Sequence, residues 1–524
     1  MCSFLKIMSE TLLEKLLDFY HISYEQYLSI TDDVSLDNFD AGHHFEKIDD
    51  AVNPVKEVIS NKGRIVVYGD YDADGIMGTS IIVKSLQYLG VNADYYIPNR
   101  YQDGYGITIS HAKEYVEKKY DLVIMVDNGI TAFEAIDYLK NNDIKTLVID
   151  HHQVQEFVPN ADAICHPIYS KYGNVSSSAA YTAFIFSIEL LGRIDKYLSI
   201  LASISVISDM MPLLEYNRNL LRAVFEIYRP GEFLQIDLMS DNEVFNENTI
   251  GMKIAPRINS IGRLCEDDSI SQIVKFFTCE DKEFILNYFD HIVAMNDERK
   301  NITKNDAEKL VIDSNQKAIV VLGDYKEGMI GLIANSIVNK YHVPTVVLCK
   351  SIDGLKGSAR APEGYDIVKI FNKLSDILTN FGGHALAGGC SLLEENFEEF
   401  KRRFIEEISQ SEVVYVPHPV IDIAFSEVNF ENYDLIESFA PFGESWEAPT
   451  FRIKHIKTDV LTFSRDEKHI VSKVSENLKL IGFGFSKQMV RENKFINIIG
   501  TIKKGTYFGK TYLEFSIKEI EKYI

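Results

Sequence analysis

The sequence predicts an α/β multidomain protein in which two α/β domains, joined by helices, precede a small C-terminal β-barrel. Three observations predict this fold class. Apolar strand-like runs alternate with helical segments up to about residue 150, the alternation returns after residue 313, and short strand candidates fill the chain from residue 413. The length of 524 residues agrees with several domains, because a single domain commonly contains about 100–200 residues.

The first α/β domain, placed at residues 41–225 after an N-terminal helical extension (1–40), contains four apolar runs. They are RIVVY (64–68), ADYYI (93–97), DLVIMV (121–126) and IKTLVI (144–149). Because these runs are apolar throughout instead of alternating, we expect strands that are buried on both faces of a parallel sheet. Helix-period segments at 76–89, 109–119 and 131–141 separate them, and this order predicts a doubly wound sheet.

The rest of the chain divides into three further regions. A helical connector is predicted at 226–312, and a second α/β domain at 313–412 begins with the strand candidates KAIVVLG and PTVVLC. Five or six short strand candidates with turn-like connections follow in residues 413–524. This spacing predicts a small all-β barrel, for which an OB-fold is the leading candidate.

Composition excludes several classes of protein. The content of 46% hydrophobic and 25% charged residues rules out wholesale disorder, and the net charge of −23 argues against a protein that coats DNA. The six cysteines form no CxxC pair, so a zinc ribbon is not supported. No apolar run is long enough to cross a membrane, and we therefore expect a soluble, cytoplasmic protein that does not bind membranes.

Acidic residues cluster directly after the first predicted strand, where Asp70, Asp72 and Asp74 alternate in GDYDADG. Three neighbouring carboxylates are costly unless a cation neutralises them. A calcium-binding EF-hand loop starts with the same pattern, but its twelfth position requires Glu and is Ile81 here. The run also follows a strand, whereas an EF-hand loop follows a helix, so the sequence favours another kind of cation site.

Further acidic and histidine residues follow the later strands. Asp127 comes directly after DLVIMV, and Asp150, His151 and His152 come directly after IKTLVI. Since ligands bind outside the carboxyl ends of parallel strands, these side chains should meet at one rim of the sheet. Carboxylates mixed with imidazole suit Mn²⁺ or Mg²⁺, and so many ligands suggest two ions. Each residue alone also has a structural interpretation, since an Asp after a strand often caps the next helix.

The motifs GDYDADG, VDNG, DHH and SDMMPL resemble the DHH phosphoesterase superfamily, and the order of motifs along the chain resembles its RecJ family of bacterial exonucleases. The similarity continues through APRINSIGRL (255–264), KGSAR (356–360), GGHALAGG (382–389) and APFG (440–443). It departs from the family at ESWEAP (444–449) and YKEGMIG (325–331), and nothing follows the barrel. The resemblance implies a DHH domain, a DHHA1 domain and an OB domain.

The resemblance also implies roles for individual residues. Two divalent cations, Mn²⁺ or Mg²⁺, would bind to Asp70, Asp72, Asp74, Asp127, His151 and Asp209. The catalytic residues would be His152, which faces the scissile phosphate, and Asp150, which orients the histidines. Nucleic acid would be bound by Arg100, Arg257, Arg263, Ser358, Arg360, Gly382, Gly383 and His384. For any single arginine, a surface salt bridge is the competing interpretation.

The implied activity is release of 5′-mononucleotides from single-stranded DNA in recombination and repair. A single-strand-binding protein and a helicase are the further partners it suggests, and we expect a monomer. Three alternatives stay open: a DHH enzyme for smaller nucleotide substrates, an RNA exonuclease, and a catalytically silent scaffold of the replisome. The additional barrel favours a polymeric substrate, and the complete set of acidic and histidine residues argues against a silent scaffold.

Overall fold

A computed structural model describes residues 11–40, 45, 46, 48–104, 106–310, 316–413, 418–507 and 510–522. Within this part of the chain, none of the helices combines the length and the apolar composition that a membrane span requires. The chain divides into two compact units. The larger comprises residues 36–211 and 219–416, and the smaller comprises residues up to 35, 212–218 and those from 417 onward.

The described chain begins with the helices α1 (Leu12–Tyr20) and α2 (Tyr24–Thr31), which belong to the smaller unit. Each starts with a capping box, in which a Thr or Ser side chain and a Glu or Gln three residues later satisfy the free amide groups. The ring of Tyr20 stacks on Trp446 at 4.3 Å between centroids, and the guanidinium of Arg218 lies 4.9 Å from the same indole. The ESWEAP departure therefore contributes an aromatic anchor for the N-terminal extension.

The larger unit contains the predicted parallel sheet, with strand order β2-β1-β3-β4-β5. Its elements are α3 (Ile48–Ser60), β1 (Ile65–Tyr68), α4 (Ala73–Tyr88), β2 (Asp94–Tyr96), α5 (Ile109–Glu117), β3 (Leu122–Val126), α6 (Phe133–Asn141), β4 (Lys145–Ile149) and β5 (Ala163–Cys165). All neighbouring strands pair in parallel. The prediction of a doubly wound sheet is confirmed, and the strand it missed, β5, is only three residues long.

A largely helical region follows. It consists of α7 (Ala179–Leu191), α8 (Lys196–Ser208), α9 (Glu215–Ile227), α10 (Leu234–Met239), α11 (Glu247–Thr249), a π-helical turn (Ile250–Ile254), α12 (Ala255–Leu264), α13 (Gln272–Thr278) and α14 (Lys282–Lys309). Helices α7 and α8 pack on α4, which is buried along residues 73–86. Because α4 is enclosed on all sides, the start of this helix is held firmly at the rim of the parallel sheet.

The second sheet of the larger unit is mixed, with strand order β6-β7-β8-β10-β9. Its elements are β6 (Ile319–Leu322), α15 (Ile330–Tyr341), β7 (Thr345–Ser351), β8 (Gly354–Arg360), α16 (Ile367–Lys373), β9 (Asn380–His384), β10 (Ala387–Leu392) and α17 (Phe397–Gln410). The glycine-rich run GGHALAGG forms the antiparallel hairpin β9–β10, which pairs with β8. This hairpin places the glycines next to the GSAR segment.

The barrel region of the smaller unit is a six-stranded sheet with the order β11-β12-β15-β16-β14-β13. Its elements are β11 (Ile421–Asp422), α18 (Phe430–Glu437), β12 (Phe451–Lys457), β13 (Ile470–Lys473), β14 (Leu478–Gly482), α19 (Lys487–Arg491), β15 (Phe495–Tyr507) and β16 (Lys510–Lys522). Phe451 and Phe515 are buried in its core. The predicted fold class, two α/β domains followed by an OB-like barrel, is confirmed.

Candidate functional site

The turn between β1 and α4 carries the three alternating aspartates. Asp72 caps α4, because its Oδ1 accepts hydrogen bonds from the amides of Asp74 (3.0 Å) and Gly75 (3.1 Å). The helix therefore starts at Ala73, three residues earlier than predicted, and Asp74 lies in its first turn. A Cβ atom on Gly75 would lie 2.6 Å from the backbone nitrogen of Asp70, so only glycine allows the turn to close this tightly.

Asp74 is fixed by the helices that enclose α4. Its carboxylate accepts hydrogen bonds from the amides of Ala179 (2.8 Å) and Ala180 (2.7 Å) at the start of α7, and from the hydroxyl of Ser205 (2.5 Å) on α8. The same carboxylate approaches His151 Nε2 with its Oδ2 at 3.5 Å. Sequence reasoning missed Ser205, because its partner is 131 residues away in the chain.

The imidazole of His151 gathers three carboxylates from different elements. Its Nε2 lies 3.4 Å from Asp127 Oδ1, 3.5 Å from Asp74 Oδ2 and 3.5 Å from Asp209 Oδ2. Asp127 follows β3 with a left-handed backbone (φ 62°), and Asp209 is the C-cap residue of α8. The ligand atoms form three overlapping groups: Asp127, His151 and His152; Asp74, His151 and Asp209; and Asp70, Asp72 and Asp127.

Both carboxylate oxygens of Asp150 accept hydrogen bonds from the protein. Its Oδ1 accepts from the amides of His151 (2.8 Å) and His152 (3.2 Å) and lies 2.7 Å from His152 Nδ1, while Oδ2 accepts from the amide of Ile130 (3.0 Å). It therefore orients the histidine pair, and it belongs to none of the three groups of potential ligand atoms. A partner missed in the sequence is His166, whose Nε2 donates to the His152 carbonyl oxygen (2.8 Å).

The electrostatics of the cluster fit divalent cations. Burial, reinforced by neighbouring carboxylates, raises the pKa values of Asp70 and Asp127 well above the ordinary range and that of Asp209 to about 8. Asp70 Oδ1 is buried and has no hydrogen-bond partner among the described residues. Carboxylates in this condition require a positive charge, and the mixture of carboxylate and imidazole matches Mn²⁺ or Mg²⁺.

The pair Asp150–His152 behaves in the opposite way. Burial opposes ionisation of both groups, but their mutual hydrogen bond and attraction lower the pKa of Asp150 to about 2 and raise that of His152 to about 9. The charges of Asp74 and Asp72 also favour the charged imidazole. His152 is 43% exposed at its side chain, so the protonated ring can face a bound anion.

A cationic cleft of about 890 Å³ adjoins the acidic cluster. Six of the eight residues predicted to bind nucleic acid line it: Arg100, Arg263, Ser358, Arg360, Gly382 and Gly383. The Arg100 guanidinium lies 4.1 Å above the ring of Tyr71, and its charge reaches Asp70 and Asp72. The cluster and the cleft are therefore parts of one site, with Arg100 between them.

The other two predicted binding residues lie elsewhere. Arg257 donates to Asp241 (2.8 Å) and to the carbonyl oxygen of Met239 (2.6 Å). For this arginine the structure thus shows the salt bridge that was the competing interpretation. His384 is exposed at the end of the edge strand β9 and does not line the cleft. Their roles in binding remain predictions that no contact supports.

Two further residues belong to the site but were not predicted. Asn259, within APRINSIGRL, accepts a hydrogen bond from the amide of Ala73 (2.9 Å) and so helps to hold the start of α4. Glu327 forms an ion pair with Lys356 (2.8 Å) inside the cleft. Both depend on contacts between residues distant in the chain, for which the sequence offers no local signal.

Three regions of the chain match known domain families. Residues 64–204 match the DHH family, N-terminal domain, residues 315–410 match the DHHA1 domain, and residues 421–519 match the RecJ OB domain. Together these regions cover both sheets of the larger unit and the barrel of the smaller one. All residues of the acidic cluster except Asp209 lie in the first region, and the GSAR and glycine segments lie in the DHHA1 region.

Comparisons over most of the chain agree with this assignment. The chain is 28% identical to the single-stranded-DNA-specific exonuclease RecJ of Bacillus subtilis over 90% of its own length and 63% of that relative, and 29% identical to RecJ of Haemophilus influenzae over 81% and 80%. Its fold matches RecJ of Thermus thermophilus in complex with Mn²⁺ with a TM-score of 0.80, at 20% identity, covering 98% of this chain and 78% of that structure. A second structure, exonuclease RecJ bound to manganese, matches with a TM-score of 0.60 at 27% identity, covering 71% and 96%. With its motifs, its three domains in this order and these similarities, the chain belongs to the RecJ family of DHH proteins.

Proposed function

We propose that this chain is a two-metal exonuclease that degrades single-stranded DNA from the 5′ end and releases 5′-mononucleotides. The observation that carries the proposal is the continuity of a buried carboxylate–imidazole cluster with an arginine-lined cleft, joined at Arg100. A phosphodiester backbone requires both parts: cations at the bond that is cleaved, and arginine side chains for the neighbouring phosphates. The relatives are named as exonucleases specific for single-stranded DNA, and we take the substrate in this proposal from these names.

In this proposal two Mn²⁺ or Mg²⁺ ions bind the six predicted ligands Asp70, Asp72, Asp74, Asp127, His151 and Asp209. When bound, the ions supply Lewis-acid stabilisation of phosphoryl oxygens and make water a better nucleophile near neutral pH. The protein already orients the donors, since α7 and α8 hold Asp74 and the left-handed turn after β3 directs Asp127 into the cluster. Little reorganisation is then needed for binding.

The imidazole of His152 has the second chemical role. Asp150 keeps this ring protonated and fixes its orientation through the 2.7 Å contact to Nδ1, so that Nε2 is the atom that can donate to a phosphoryl oxygen. There it would stabilise the charge that develops in the transition state or protonate the leaving oxygen. Arg360 and Ser358, joined by a 3.0 Å hydrogen bond, would hold the terminal 5′ phosphate beside the hairpin glycines.

The proposal includes a biological setting. We place the enzyme in the cytoplasm, acting as a monomer in recombination and repair, with a helicase that opens the duplex and a single-strand-binding protein that keeps the strand accessible. The chain covers 63% of the length of the Bacillus subtilis relative. A pull-down with each purified partner, in the presence and absence of DNA, tests these two interactions.

The activity is tested with single-stranded DNA labelled separately at each end and incubated with Mn²⁺ or Mg²⁺. We expect immediate release of a labelled mononucleotide from the 5′ label and gradual shortening of the 3′-labelled strand. Internal cuts, or immediate release from the 3′ label, would contradict the proposed polarity. Absence of all cleavage with either metal would instead support a silent scaffold.

Substrate class is tested in parallel with an RNA strand of the same sequence and with dinucleotides. We expect the DNA strand to be degraded faster than dinucleotides, because the proposed grip uses phosphates distributed along a polymer. We also expect it to be degraded faster than RNA, because the relatives are named as specific for single-stranded DNA. If RNA were degraded as fast as DNA, the proposed cleavage chemistry would stand, but the proposed preference for DNA over RNA would be wrong. Rapid cleavage of dinucleotides alone would favour a small-substrate phosphoesterase.

A further inference from the structure

The loop that carries Arg100 is attached to the end of α12, the helix that carries Arg263. The Tyr101 hydroxyl donates to the carbonyl oxygen of Arg263 (2.5 Å), and the Gln102 side chain donates to that of Glu266 (2.8 Å). Carbonyl groups in the last turn of a helix have no partner within the helix. The loop therefore supplies donors that the end of α12 needs.

Asn99, which is fully buried, completes this attachment from the other side of Arg100. Its Nδ2 donates to the carbonyl oxygens of Cys265 (3.4 Å) and Asp267 (3.2 Å), and its Oδ1 accepts from the amide of Tyr101 (2.8 Å). The backbone amide of Asn99 donates to Asp103 Oδ2 (2.7 Å), and this hydrogen bond joins the two ends of the loop. The Asn99 side chain thus ties the loop to residues 265–267 through Nδ2 and fixes the backbone next to Arg100 through Oδ1.

The two arginines joined in this way face the same cleft. Arg360 lines the cleft as well, and burial lowers the pKa of Arg263 to about 10, with the charges of Arg100, Arg299 and Arg360 acting in the same direction. Arg263 Nη1 also donates to the carbonyl oxygen of Gly328 (3.0 Å), and Arg100 Nε is buried with no hydrogen-bond partner among the described residues. Cations that repel one another move apart unless the backbone that carries them is held.

We infer that Tyr101, together with Asn99 and Gln102, is a positioning residue that fixes the distance between the Arg100 and Arg263 guanidinium groups, so that both can join Arg360 and Ser358 of the same cleft on the terminal 5′ phosphate of the bound strand. The inference rests on the proposed function for the identity of the ligand, a nucleic-acid phosphate. Tyr101 does not touch the ligand, because its hydroxyl is directed to the backbone of α12. Its effect reaches the phosphate only through the two arginines.

Tyr101→Phe tests the inference, since it removes one hydroxyl and keeps the ring. The matched control is Tyr120→Phe, which removes the hydroxyl that donates to Asp94 (2.7 Å) at the opposite end of the parallel sheet. Binding of an oligodeoxythymidine with a 5′ phosphate, and of the same strand with a 5′ hydroxyl, is measured by fluorescence anisotropy in EDTA. We expect Tyr101→Phe to lower the preference for the phosphorylated strand about five- to tenfold and the control to leave it unchanged.

Steady-state kinetics add a readout that a general loss of stability would not produce. In Mn²⁺, Tyr101→Phe should raise the KM for the phosphorylated strand by a similar factor and change kcat less than about twofold. In an Arg100→Gln background the additional effect of Tyr101→Phe should disappear, because one of the two positioned groups is gone. Gln102→Ala, at the exposed end of the loop, should change binding in the same direction by a smaller factor.

The outcomes separate the inference from the function on which it rests. Any of three results overturns the inference. Tyr101→Phe could show the affinity and KM of the wild-type protein, or it could have the same effect in the Arg100→Gln background as in the wild-type background. The third result is a wild-type protein with no preference for a 5′ phosphate. A wild-type protein that prefers the phosphorylated strand but does not degrade it overturns the proposed function alone, and the binding measurement still decides the role of Tyr101.

Discussion

At the scale of single residues, the site shows a conflict between stability and function. Asp127 is buried, lies among four other aspartates and adopts a left-handed backbone, which is uncommon for residues other than glycine. Each feature costs folding free energy, and such costs concentrate at functional sites. Its folded-state pKa is raised, so at neutral pH the charged form destabilises the folded protein until a cation binds.

We expect Asp127→Asn to lower the rate of DNA cleavage by more than about 100-fold, beyond the 10–100-fold that is typical of groups that only orient metal ligands. In EDTA the same change should raise the Tm, because it removes a buried negative charge from a repulsive cluster. The rise in Tm that Mn²⁺ causes in the wild-type protein should become smaller. Both are measured by thermal denaturation with EDTA or Mn²⁺.

A suitable control for this change is Asp143→Asn, since Asp143 has nearly the same backbone conformation (φ 60°) but is exposed and lies outside the cluster. It should leave both the rate and the metal-dependent Tm as they are. A fall in the Tm of Asp127→Asn in EDTA would show that the carboxylate stabilises the protein without metal, contrary to the pKa argument.

Asp150→Asn should separate orientation from metal binding. The side-chain amide of the introduced Asn can still accept a hydrogen bond from a backbone N–H group, but it carries no charge and cannot form an ion pair with His152. We therefore expect kcat to fall about 10–100-fold. The metal-dependent rise in Tm should stay within a degree or so of the wild-type value. Asp162→Asn, which disturbs hydrogen bonds to Thr146 at the other end of β4, should leave kcat unchanged and so serves as the control.

At the scale of secondary-structure elements, the site depends on close packing between segments distant in the chain. Helix α12 approaches the turn after β1 so closely that a Cβ atom on Gly262 would lie 2.0 Å from the carbonyl oxygen of Tyr71. The same helix contributes Asn259 to the start of α4 and Arg263 to the cleft. One helix thus joins the acidic cluster to the cationic cleft.

Gly262→Ala should therefore push α12 away from the turn, lowering the free energy of unfolding by about 1–3 kcal/mol and reducing DNA cleavage. Gly251→Ala is the matched control, because its nearest neighbour, Ile207 Cγ2, would be at an ordinary distance of 3.6 Å. Thermal denaturation and the cleavage assay compare the two variants. Equal Tm values for Gly262→Ala and the wild-type protein would contradict the close approach.

At the scale of the whole molecule, the net charge of −23 is compatible with a DNA substrate. Part of the negative charge lies in the cluster that we assign to two cations, and the positive charge needed for DNA is concentrated in one cleft by Arg100, Arg263 and Arg360. Excess negative charge elsewhere would disfavour unspecific binding to duplex DNA. The distribution of charge matters more here than its sum.

Salt dependence measures how much phosphate charge these arginines neutralise. For single strands the slope of log K against log salt is about −0.7 for each neutralised phosphate charge, so three arginines that each neutralise one charge predict a slope of about −2. Arg360→Gln should reduce its magnitude by about 0.7, whereas Arg402→Gln, an exposed arginine paired with Glu399 and Glu406 on α17, should not change it. An unchanged slope for Arg360→Gln would exclude a phosphate contact by this residue.

The sequence by itself determined the fold class and the rim on which the acidic residues gather. Uniformly apolar runs identify buried parallel strands, and a residue that directly follows such a strand must lie at its carboxyl end. Asp70, Asp127 and Asp150 could therefore be assigned to one edge of the sheet from local pattern alone. The short strand β5 could not, because three residues carry too little periodicity.

Only the tertiary structure decided which of these residues are free to hold a cation and which are already used. Both oxygens of Asp150 accept from protein donors, and Arg257 is paired with Asp241. Asn259, Ser205 and Tyr101 act through partners more than 100 residues away. Hydrogen bonds of this kind form between elements that meet only after the chain has folded. Local sequence records the residue types, but the partner of each polar atom is set by packing.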